Sequence, residues 1–370
     1  MTQIETVPFA NLSLQWDQVK IDVMPELEEL FKKSAFCLGP WVERFESDIA
    51  EYLGVRHGVA VNSGTSALHL AVIAAGLKRG DKVLVPAQTF IGTVWGAIYE
   101  GLVPVFCDVD PETATITFEE MQKRMQPGVK GVIPVHLFGQ PAHMDSIMSF
   151  AHEHNLIVIE DVAQSIGASF GGKALGTIGL MGCFSFYPGK NLGGAGEGGL
   201  ITTNDKDIAV RLRALRSHGQ YERYVHTEIG FNYRMDGIQG LVLGYKLKKL
   251  DEWTEQRKQI AIRYINQLAD LPIKLPKKNN GDHVWHLFVI RTSHRDKLRE
   301  YMINERVETG LHYPVPLQRQ PCLSGAAPDP EDYPAADEWA DNALSLPIFA
   351  GMTSEQQDRV IKTVRGFFEK

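Results

Sequence analysis

Residues 156–164 read LIVIEDVAQ, and this stretch decides the class of fold. It begins with apolar residues that do not alternate with polar ones, which is typical of a strand buried on both faces of a parallel sheet. Similar apolar runs precede it at residues 58–61, 82–85, 104–107 and 131–135. Segments with helical patterns separate the runs, at residues 66–75, 91–100, 118–125 and 144–152. We therefore predict an α/β fold with a mostly parallel sheet flanked by helices.

The pattern changes beyond residue 178. We predict short strands near residues 181–186 and 199–203, a helix over residues 205–216 and a polar, aromatic loop over residues 217–234. A long helix is predicted from residue 236 to residue 268, because its leucines form one apolar stripe. This helix is the candidate domain boundary. It divides a large domain, residues 1–240, from a smaller α+β domain, residues 241–370.

The smaller domain is predicted to contain a strand at residues 284–291, a helix at 295–304, a strand at 307–312 and a last helix from Ser354. An irregular loop is predicted between Tyr313 and Ala335, because this segment carries Pro314, Pro316, Pro321, Pro328, Pro330 and Pro334. Long irregular loops in compact domains tend to be functional or mobile.

Composition narrows the range of functions. A chain of 370 residues is long enough for two domains. The net charge of -7 argues against a nucleic-acid partner, which usually requires a basic face. No apolar run reaches the roughly 18 residues of a membrane span. The first five residues lack the basic and apolar blocks of a signal peptide, so we expect a cytoplasmic protein.

Metal and disulfide sites are not expected. Cys37, Cys107, Cys183 and Cys322 are scattered without a C-x-x-C pair, which indicates reduced thiols. His283 and His286 are three positions apart within a predicted strand, so their side chains would point to opposite faces.

One lysine has an unusual setting. Lys190 lies in the segment SFYPGKN, residues 185–191, and the glycine-rich segment GGAGEGG, residues 193–199, follows it. A lysine that a Pro-Gly turn holds after a buried strand can have a lowered pKa and attack carbonyl carbons. Taken alone, a solvated loop lysine is the commoner explanation. The segment DVAQ, residues 161–164, changes that balance. Glu160 and Asp161 are either an exposed strand end or carboxylates held to pair with a cationic ligand atom, such as the pyridinium nitrogen of a cofactor.

Two further patterns leave alternatives open, and a third is rejected. Residues 62–66, NSGTS, open a helix after a strand, so they form either a phosphate site or an ordinary N-cap. Phe90 is either a core aromatic or a stacking face for a flat ring. Gly194, Gly196 and Gly199 match the dinucleotide fingerprint G-x-G-x-x-G, but a predicted strand follows where that fingerprint requires a helix.

The order of these motifs closely resembles the DegT/DnrJ/EryC1/StrS family of pyridoxal 5'-phosphate (PLP)-dependent sugar aminotransferases, which have fold type I and belong to the aspartate aminotransferase superfamily. The resemblance covers nearly the whole chain. The segments that carry it are PFANL at 8–12, GP at 39–40, NSGT at 62–65, DVAQ at 161–164, SFYPGKNLG at 185–193, GFNYRM at 230–235, HYPVP at 312–316 and LP at 346–347.

This resemblance implies a role for each matching residue. Lys190 would form the Schiff base with PLP and move the proton, and Asp161 would keep the pyridine nitrogen protonated. Gln164 would bond the ring hydroxyl. The other implied contacts are ring stacking by Phe90, phosphate binding by Gly64, Thr65 and Ser185, and a phosphate contact from Asn232 of the neighbouring subunit. The last contact implies a homodimer with shared active sites.

The resemblance also implies the reaction. L-glutamate would convert PLP to pyridoxamine phosphate, and a nucleotide-linked keto sugar would accept the amino group. Tyr187, His312 and Tyr313 are similar to the branch that makes 3-amino sugars, which suggests a dTDP-3-keto-6-deoxyhexose. That branch usually has a histidine where this chain has Gln318, which leaves sugar recognition open. Three alternatives remain: a 4-keto sugar, a cyclitol or aminoshikimate-type substrate, and a non-catalytic regulatory protein that binds PLP.

Overall fold

The structure is a computed structural model, and it describes residues 5–277, 279, 281–324 and 332–369. Residues 1–4, from which the absence of a signal peptide is inferred, lie outside the described residues. So do Pro328 and Pro330 of the predicted proline-rich loop. The rest of residues 325–331 in that loop also lies outside the described residues.

The strands form one large sheet and three two-stranded sheets. In chain order they are β1 (His57–Val61), β2 (Lys82–Pro86), β3 (Val103–Cys107), β4 (Val129–Val132), β5 (Ile157–Asp161), β6 (Ser169–Phe170), β7 (Lys173–Ala174), β8 (Met181–Ser185), β9 (Gly199–Thr203), β10 (Gln220–Glu222), β11 (Val225–His226), β12 (Phe288–Arg291) and β13 (Ala343–Leu346).

The large sheet has seven strands in the order β1-β9-β8-β5-β4-β2-β3. All neighbouring strands are parallel except at β9, which runs antiparallel to both β1 and β8. The middle strands are almost entirely buried, as expected when helices cover both faces. The predicted α/β fold with a mostly parallel sheet flanked by helices is therefore confirmed.

Helices surround the sheet and continue into the C-terminal part. They are α1 (Ser13–Lys32), α2 (Pro40–Leu53), α3 (Gly64–Ala74), α4 (Gly92–Tyr99), α5 (Phe118–Arg124), α6 (Met144–His154), α7 (Lys206–Leu215), α8 (Gly237–Leu247), α9 (Leu250–Leu268), α10 (Arg295–Asn304), α11 (Pro334–Asn342) and α12 (Ser354–Phe368). Short 3-10 turns lie at Leu137–Gly139, Leu317–Arg319 and Pro321–Leu323.

The register of the sheet brings several polar residues to one edge. Asp161 ends β5 and pairs with Cys183 of β8, two residues before Ser185 ends that strand. Ser185 pairs with Gly199, which also pairs with Val61 at the end of β1. The start of α3, the end of β5 and the end of β8 therefore meet at the carboxyl edge, where ligands of such folds bind.

The prediction of one long helix over residues 236–268 is wrong. The chain forms α8 and α9, and the Lys249 N–H donates to the Lys246 carbonyl at 3.0 Å in the turn between them. The apolar stripe continues across this turn because Leu243, Leu247 and Leu250 all lie in the core of the large sheet. The rest of α9 packs in a separate C-terminal core. The proposed division between residues 240 and 241 falls within α8 and stays a prediction.

The prediction of a strand over residues 284–291 is only partly correct. β12 begins at Phe288, because Trp285 has a φ of 50°, outside the extended region. Instead, Val284 and Leu287 donate backbone hydrogen bonds to Gly139 and Phe138 at 3.0 and 3.1 Å. This pairing fixes residues 284–287 against the loop that follows β4.

Two other local predictions need correction. Residues 307–312 form no continuous strand; Val307 and Gly310 make isolated bridges to Val7 and Ser345. Residues 217–234, predicted as a loop, contain the hairpin of β10 and β11. The alternation of side chains in so short a hairpin is too brief to be read from the sequence. The helices predicted at 205–216, 295–304 and from Ser354 correspond to α7, α10 and α12.

Candidate active site

The loop that carries Lys190 is held by backbone contacts. The Lys190 N–H donates to the Tyr187 carbonyl at 2.8 Å, and the Gly194 N–H donates to the Phe186 carbonyl at 2.8 Å. Gly193 is required here, because a Cβ atom at this position would lie 2.2 Å from the Pro188 carbonyl oxygen. The glycine-rich run therefore folds back on the lysine turn and fixes it, a close approach that side chains would prevent.

The environment of Lys190 favours a neutral amine. Burial lowers the pKa of Lys190 to about 8, although the Asp161 carboxylate acts in the opposite direction. An ammonium loses hydration when it leaves water, so burial disfavours the charged form. Near neutral pH a larger fraction of Lys190 is therefore unprotonated than for an ordinary lysine, and only this fraction is nucleophilic.

Asp161 is buried and oriented by two donors. Thr93 Oγ1 donates to Asp161 Oδ2 at 2.8 Å, and the Ala163 N–H donates to Oδ1 at 3.1 Å. Burial raises the pKa of Asp161, while these hydrogen bonds and the charge of Lys190 lower it. A buried carboxylate without a full ionic partner is costly, so the site is suited to a cationic group beside Asp161.

The neighbouring acid Glu160 has a different role. Its carboxylate accepts hydrogen bonds from the backbone N–H groups of Gly176, Ile178 and Gly179 at 2.7 to 2.8 Å. His136 Nε2 lies 3.2 Å from the same carboxylate. Glu160 therefore stabilises the loop before β8, and of the two acids only Asp161 belongs to the site.

A cradle suited to phosphate lies at the start of α3. Ser63 caps this helix by accepting from the Ser66 N–H at 3.0 Å. Gly64 lies so close to Ser185 that a Cβ on Gly64 would come within 2.7 Å of Ser185 Cβ and 3.3 Å of its Oγ. The first N–H groups of a helix, including those of Gly64 and Thr65, have no acceptor within the helix. A serine hydroxyl beside such N–H groups fits the phosphate of PLP.

Phe90 lies on the rim of this cradle. Its ring is 53% exposed, so it is not a core aromatic. A Cβ on Gly92 would lie 3.0 Å from the Phe90 ring and 3.2 Å from Thr65 Oγ1, which places both beside the start of α4. The Phe90 and Tyr313 rings are 5.5 Å apart. An exposed aromatic face above a polar cradle is suited to stacking on a flat ring.

Gln164 and Tyr313 form one unit. Gln164 Oε1 accepts from the Phe138 N–H at 2.6 Å, and Gln164 Nε2 donates to the Tyr313 hydroxyl at 2.9 Å. Burial raises the pKa of Tyr313, so its hydroxyl stays protonated at neutral pH. The sequence motifs name both residues but give no sign of this contact, because 149 positions separate them.

His312 lies beside this unit. Its Nδ1 atom lies 2.8 Å from Ser345 Oγ, and its ring stacks on Phe9 with centroids 5.7 Å apart. Burial, reinforced by the charge of Lys190, lowers the pKa of His312 to about 4. His312 is therefore neutral at physiological pH and can donate or accept hydrogen bonds without adding charge.

Three predicted site residues are not drawn into this cluster. Tyr187 is exposed and lies above Gly189. Gln318 is buried, and its Nε2 atom donates to Asp337 Oδ1 at 3.1 Å, while its Oε1 has no partner among the described residues. Asn232 is exposed, and its Oδ1 accepts from Arg234 at 2.8 Å.

Sequence reasoning missed several residues that support the site. Thr93 orients Asp161, and its spacing after Thr89 gives no distinctive signal. Lys246 is buried and donates to the Gly193 carbonyl at 2.7 Å, and burial lowers its pKa to about 8. It stands among adjacent lysines in the sequence, which is the pattern of a solvated face.

Two kinds of feature are absent from the described ranges. No helix there combines the length and apolar character that a membrane crossing requires. Nor do these residues contain a group of three or more His, Cys, Asp or Glu side chains that could hold a metal ion.

Comparison with known proteins identifies related chains. The model of the DegT/DnrJ/EryC1/StrS aminotransferase family matches residues 18–365. A protein of Geobacillus stearothermophilus named pleiotropic regulatory protein is 39% identical over 366 residues, which cover 98% of both chains. The dTDP-3-amino-3,4,6-trideoxy-alpha-D-glucose transaminase of Streptomyces venezuelae is 38% identical over 366 residues, which cover 98% of this chain and 97% of the relative.

A solved structure shows the same similarity in three dimensions. The crystal structure of S. venezuelae DesV in complex with a ketimine intermediate superimposes with a TM-score of 0.97 at 38% sequence identity. The superposition covers 99% of this chain and all of the other.

Proposed function

Because the chain belongs to the DegT/DnrJ/EryC1/StrS aminotransferase family and is a PLP-dependent sugar aminotransferase, we propose that it transfers the amino group of L-glutamate to a nucleotide-linked 3-keto-6-deoxyhexose. The sugar is a dTDP derivative and the product is a 3-amino sugar. The proposed substrate class is supported by the 38% identity, over nearly the full length, to a transaminase named for a dTDP-3-amino sugar.

The residues of the site support this chemistry. PLP supplies an electron sink for the carbon that loses a proton. Asp161, which Thr93 and the Ala163 N–H orient, would accept the N–H of the pyridine ring and keep that nitrogen cationic. Lys190 Nζ would bond to the cofactor and then carry the proton, for which a pKa of about 8 is suitable.

The remaining contacts would bind and orient the cofactor. The N–H groups of Gly64 and Thr65 and the hydroxyl of Ser185 would bind its phosphate. Phe90 would stack on its ring, and Gln164 would use its second amide hydrogen for the ring hydroxyl, since the first is donated to Tyr313.

The active site is proposed to be shared between two copies of the chain. Asn232 is exposed, and it matches the family residue that the resemblance assigns to the phosphate site of the neighbouring subunit. Such reciprocal contacts require a two-fold homodimer.

The sugar would bind against His312 and Tyr313, with Tyr187 at the open rim. His312 is neutral, which suits hydrogen bonds to hydroxyl groups. Gln318 lies outside this cluster, but its buried Oε1 atom has no partner among the described residues and would accept a hydrogen bond from the sugar. The histidine usual in the 3-amino branch is absent here, so the choice of sugar depends on the remaining contacts.

The test is a half-reaction. The protein is converted to its pyridoxamine phosphate form with L-glutamate, and nucleotide-linked 3-keto and 4-keto hexoses are added in turn. We expect the PLP absorbance to return with a 3-keto sugar and the new amino group to lie at C3 by NMR. An amino group at C4, or turnover of a keto-inositol in preference to every nucleotide sugar, would contradict the proposal. The Lys190→Ala variant is the control.

A second candidate function is regulation without turnover. It is favoured by the 39% identity to a protein named a pleiotropic regulatory protein. In a host that depends on the chain, Lys190→Ala should then preserve the cellular phenotype. Loss of the phenotype with this variant, while the protein still accumulates, would support the enzyme.

A further inference from the structure

A buried polar contact adjoins the loop that carries Lys190. Asn191 follows Lys190 and is buried, as is His286 in the segment 284–287. Asn191 Nδ2 donates to the Val284 carbonyl at 2.9 Å, and Asn191 Oδ1 lies 3.2 Å from His286 Nδ1. The Asn191 side chain therefore spans two groups of one short segment.

This arrangement determines which nitrogen of His286 carries the proton. Because Nδ2 of Asn191 is used as a donor to a carbonyl, Oδ1 must accept. His286 Nδ1 therefore carries hydrogen and donates, which leaves Nε2 unprotonated. Burial, reinforced by the charges of Lys190 and Arg257, holds the pKa of His286 well below its usual range, so the ring adds no positive charge beside Lys190.

The backbone of the same residue is also bound. Gln15 Nε2 of α1 donates to the Asn191 carbonyl at 3.2 Å. Lys246 of α8 lies 3.5 Å from Gln15 Oε1 and donates to the Gly193 carbonyl. The chain just after Lys190 is thus held from α1, from α8 and from the segment 284–287.

The segment that contains His286 also contacts the loop after β4. Val284 and Leu287 bond to the backbone of Gly139 and Phe138, and the Phe138 N–H donates to Gln164. One short segment therefore contacts both the lysine loop and the residue that supports Gln164. A displacement of this segment would change the distance between the lysine and the ring of the cofactor.

We propose that His286 is a positioning residue for the aminotransferase reaction, which acts through Asn191 to hold Lys190 at the carbonyl carbon of the cofactor. His286 itself need not touch the substrate. Its effect is on the geometry of Lys190 and therefore on how fast the lysine reacts with PLP, a step that precedes any choice of sugar.

The test compares two replacements of similar size. In His286→Asn the amide nitrogen occupies the position of Nδ1 and can still donate to Asn191, whereas His286→Leu removes the donor. Cofactor-free protein is mixed with PLP, the covalent bond is reduced with borohydride at timed intervals, and the modified Lys190 peptide is quantified by mass spectrometry. Loss of a buried hydrogen bond predicts attachment slowed by roughly 5- to 30-fold in His286→Leu. In His286→Asn most of the rate should return.

The control for packing is Phe150 of α6, which is buried and packs on Phe118 with ring centroids 5.5 Å apart. Phe150→Leu should lower the melting temperature without slowing attachment. Equal rates for His286→Leu and His286→Asn, or a loss of rate that only follows the loss of melting temperature in all three variants, would overturn the proposal.

A double-mutant cycle tests the route through Asn191. In an Asn191→Ala background the change His286→Leu should have little further effect on the rate, because the shared contact is already gone. Additive effects of the two substitutions on the attachment rate would contradict a route through Asn191. If His286→Leu does not fold, Asn191→Ala is decisive alone: slow attachment at an unchanged melting temperature supports the proposal, and a normal rate refutes it. Since no sugar is present, failure of the substrate assignment would not affect these outcomes.

Discussion

The Gln164 amide donates a hydrogen bond to the Tyr313 hydroxyl at 2.9 Å, across 149 positions of sequence. This contact joins the loop after β5 to the segment after residue 310. It implies that the C-terminal part of the chain helps to orient a residue of the cofactor site. The two motifs, far apart in the sequence, form one structural unit.

Tyr313→Phe tests this contact. The variant keeps the ring beside Phe90 but removes the acceptor for Gln164 Nε2. A neutral hydrogen bond contributes about 1 kcal/mol, so we expect PLP affinity to fall by roughly fivefold. Tyr264→Phe is the matched control, because its buried hydroxyl donates to the Pro347 carbonyl at 3.0 Å, away from the site. Equal PLP affinity in the two variants would contradict the assignment.

The adjacent acids Asp161 and Glu160 allow a catalytic and a structural carboxylate to be compared by substitution. Asp161→Asn keeps one acceptor oxygen for the Ala163 N–H and places an amide nitrogen that can donate to Thr93 Oγ1, but it cannot keep a pyridinium charged. We expect kcat to fall by on the order of 100-fold or more. Because burial raises the pKa of Asp161, its ionised form destabilises the cofactor-free protein, so the unfolding free energy should not decrease.

Glu160→Gln should have the opposite effect. The carboxylate accepts three backbone hydrogen bonds and contacts His136, so its loss should cost on the order of 3 kcal/mol of unfolding free energy. The free energy of unfolding, obtained from urea denaturation, and kcat are measured on both variants to distinguish the structural role of Glu160 from the catalytic role of Asp161. An inactive but stable Glu160→Gln protein beside an active Asp161→Asn protein would reverse our assignment of the two acids.

Shared active sites predict complementation. Lys190→Ala and Asn232→Ala each damage every site of a homodimer, the second by weakening retention of PLP more than folding. When the two variants are unfolded and refolded together, half of the dimers are mixed, and each mixed dimer has one site with both native residues. Roughly a quarter of the wild-type activity should return. Recovery of no activity, with mixed dimers demonstrated by mass, would place Asn232 outside the partner's site.

The low pKa of His312 predicts a pH dependence of stability. The folded-state pKa is about 4 and the ordinary value is 6.5, so the unfolded chain binds more protons between these pH values. Stability is therefore fully present above pH 6.5 and is lost as the pH falls towards 4. The contribution is roughly 3 kcal/mol, since each pKa unit corresponds to about 1.4 kcal/mol. His312→Asn should flatten this part of the curve for cofactor-free protein, though not abolish it, because His286 has a lowered pKa too.

The control for this experiment is His152→Asn, at an exposed position of α6. Its urea denaturation curves should follow those of the wild type across the same pH range. An unchanged slope in His312→Asn would mean that His312 is not buried in its neutral form.

The sheet was predictable because its strands are buried on both faces. Each of the apolar runs before residue 161 became one strand of β1–β5, with ends that moved by a few residues. The break between α8 and α9 was not predictable, since Leu243, Leu247 and Leu250 follow the spacing of a continuous helix across it. Nor was the irregular segment 284–287, whose apolar residues pack on the loop after β4 instead of extending β12.

The candidate site was predictable only where local sequence carries the chemistry. Asp161, Lys190 and the start of α3 lie at strand ends, so a short motif describes each of them. Contacts between distant segments leave no local pattern, which explains why the pairing of Asn191 with His286 was missed. Metal spacing was considered for His283 and His286, but His286 instead bonds to a loop 95 positions away.

The most direct test of the account is the identity of the lysine that binds the cofactor. Lys190 and Lys246 are both lysines whose pKa burial lowers to about 8, so reactivity alone does not distinguish them. Holoenzyme reduced with borohydride and digested should carry the pyridoxyl group on the Lys190 peptide, and Lys246→Met should leave that adduct in place. An adduct on Lys246, or a Lys190→Ala protein that still binds the cofactor covalently, would contradict the account.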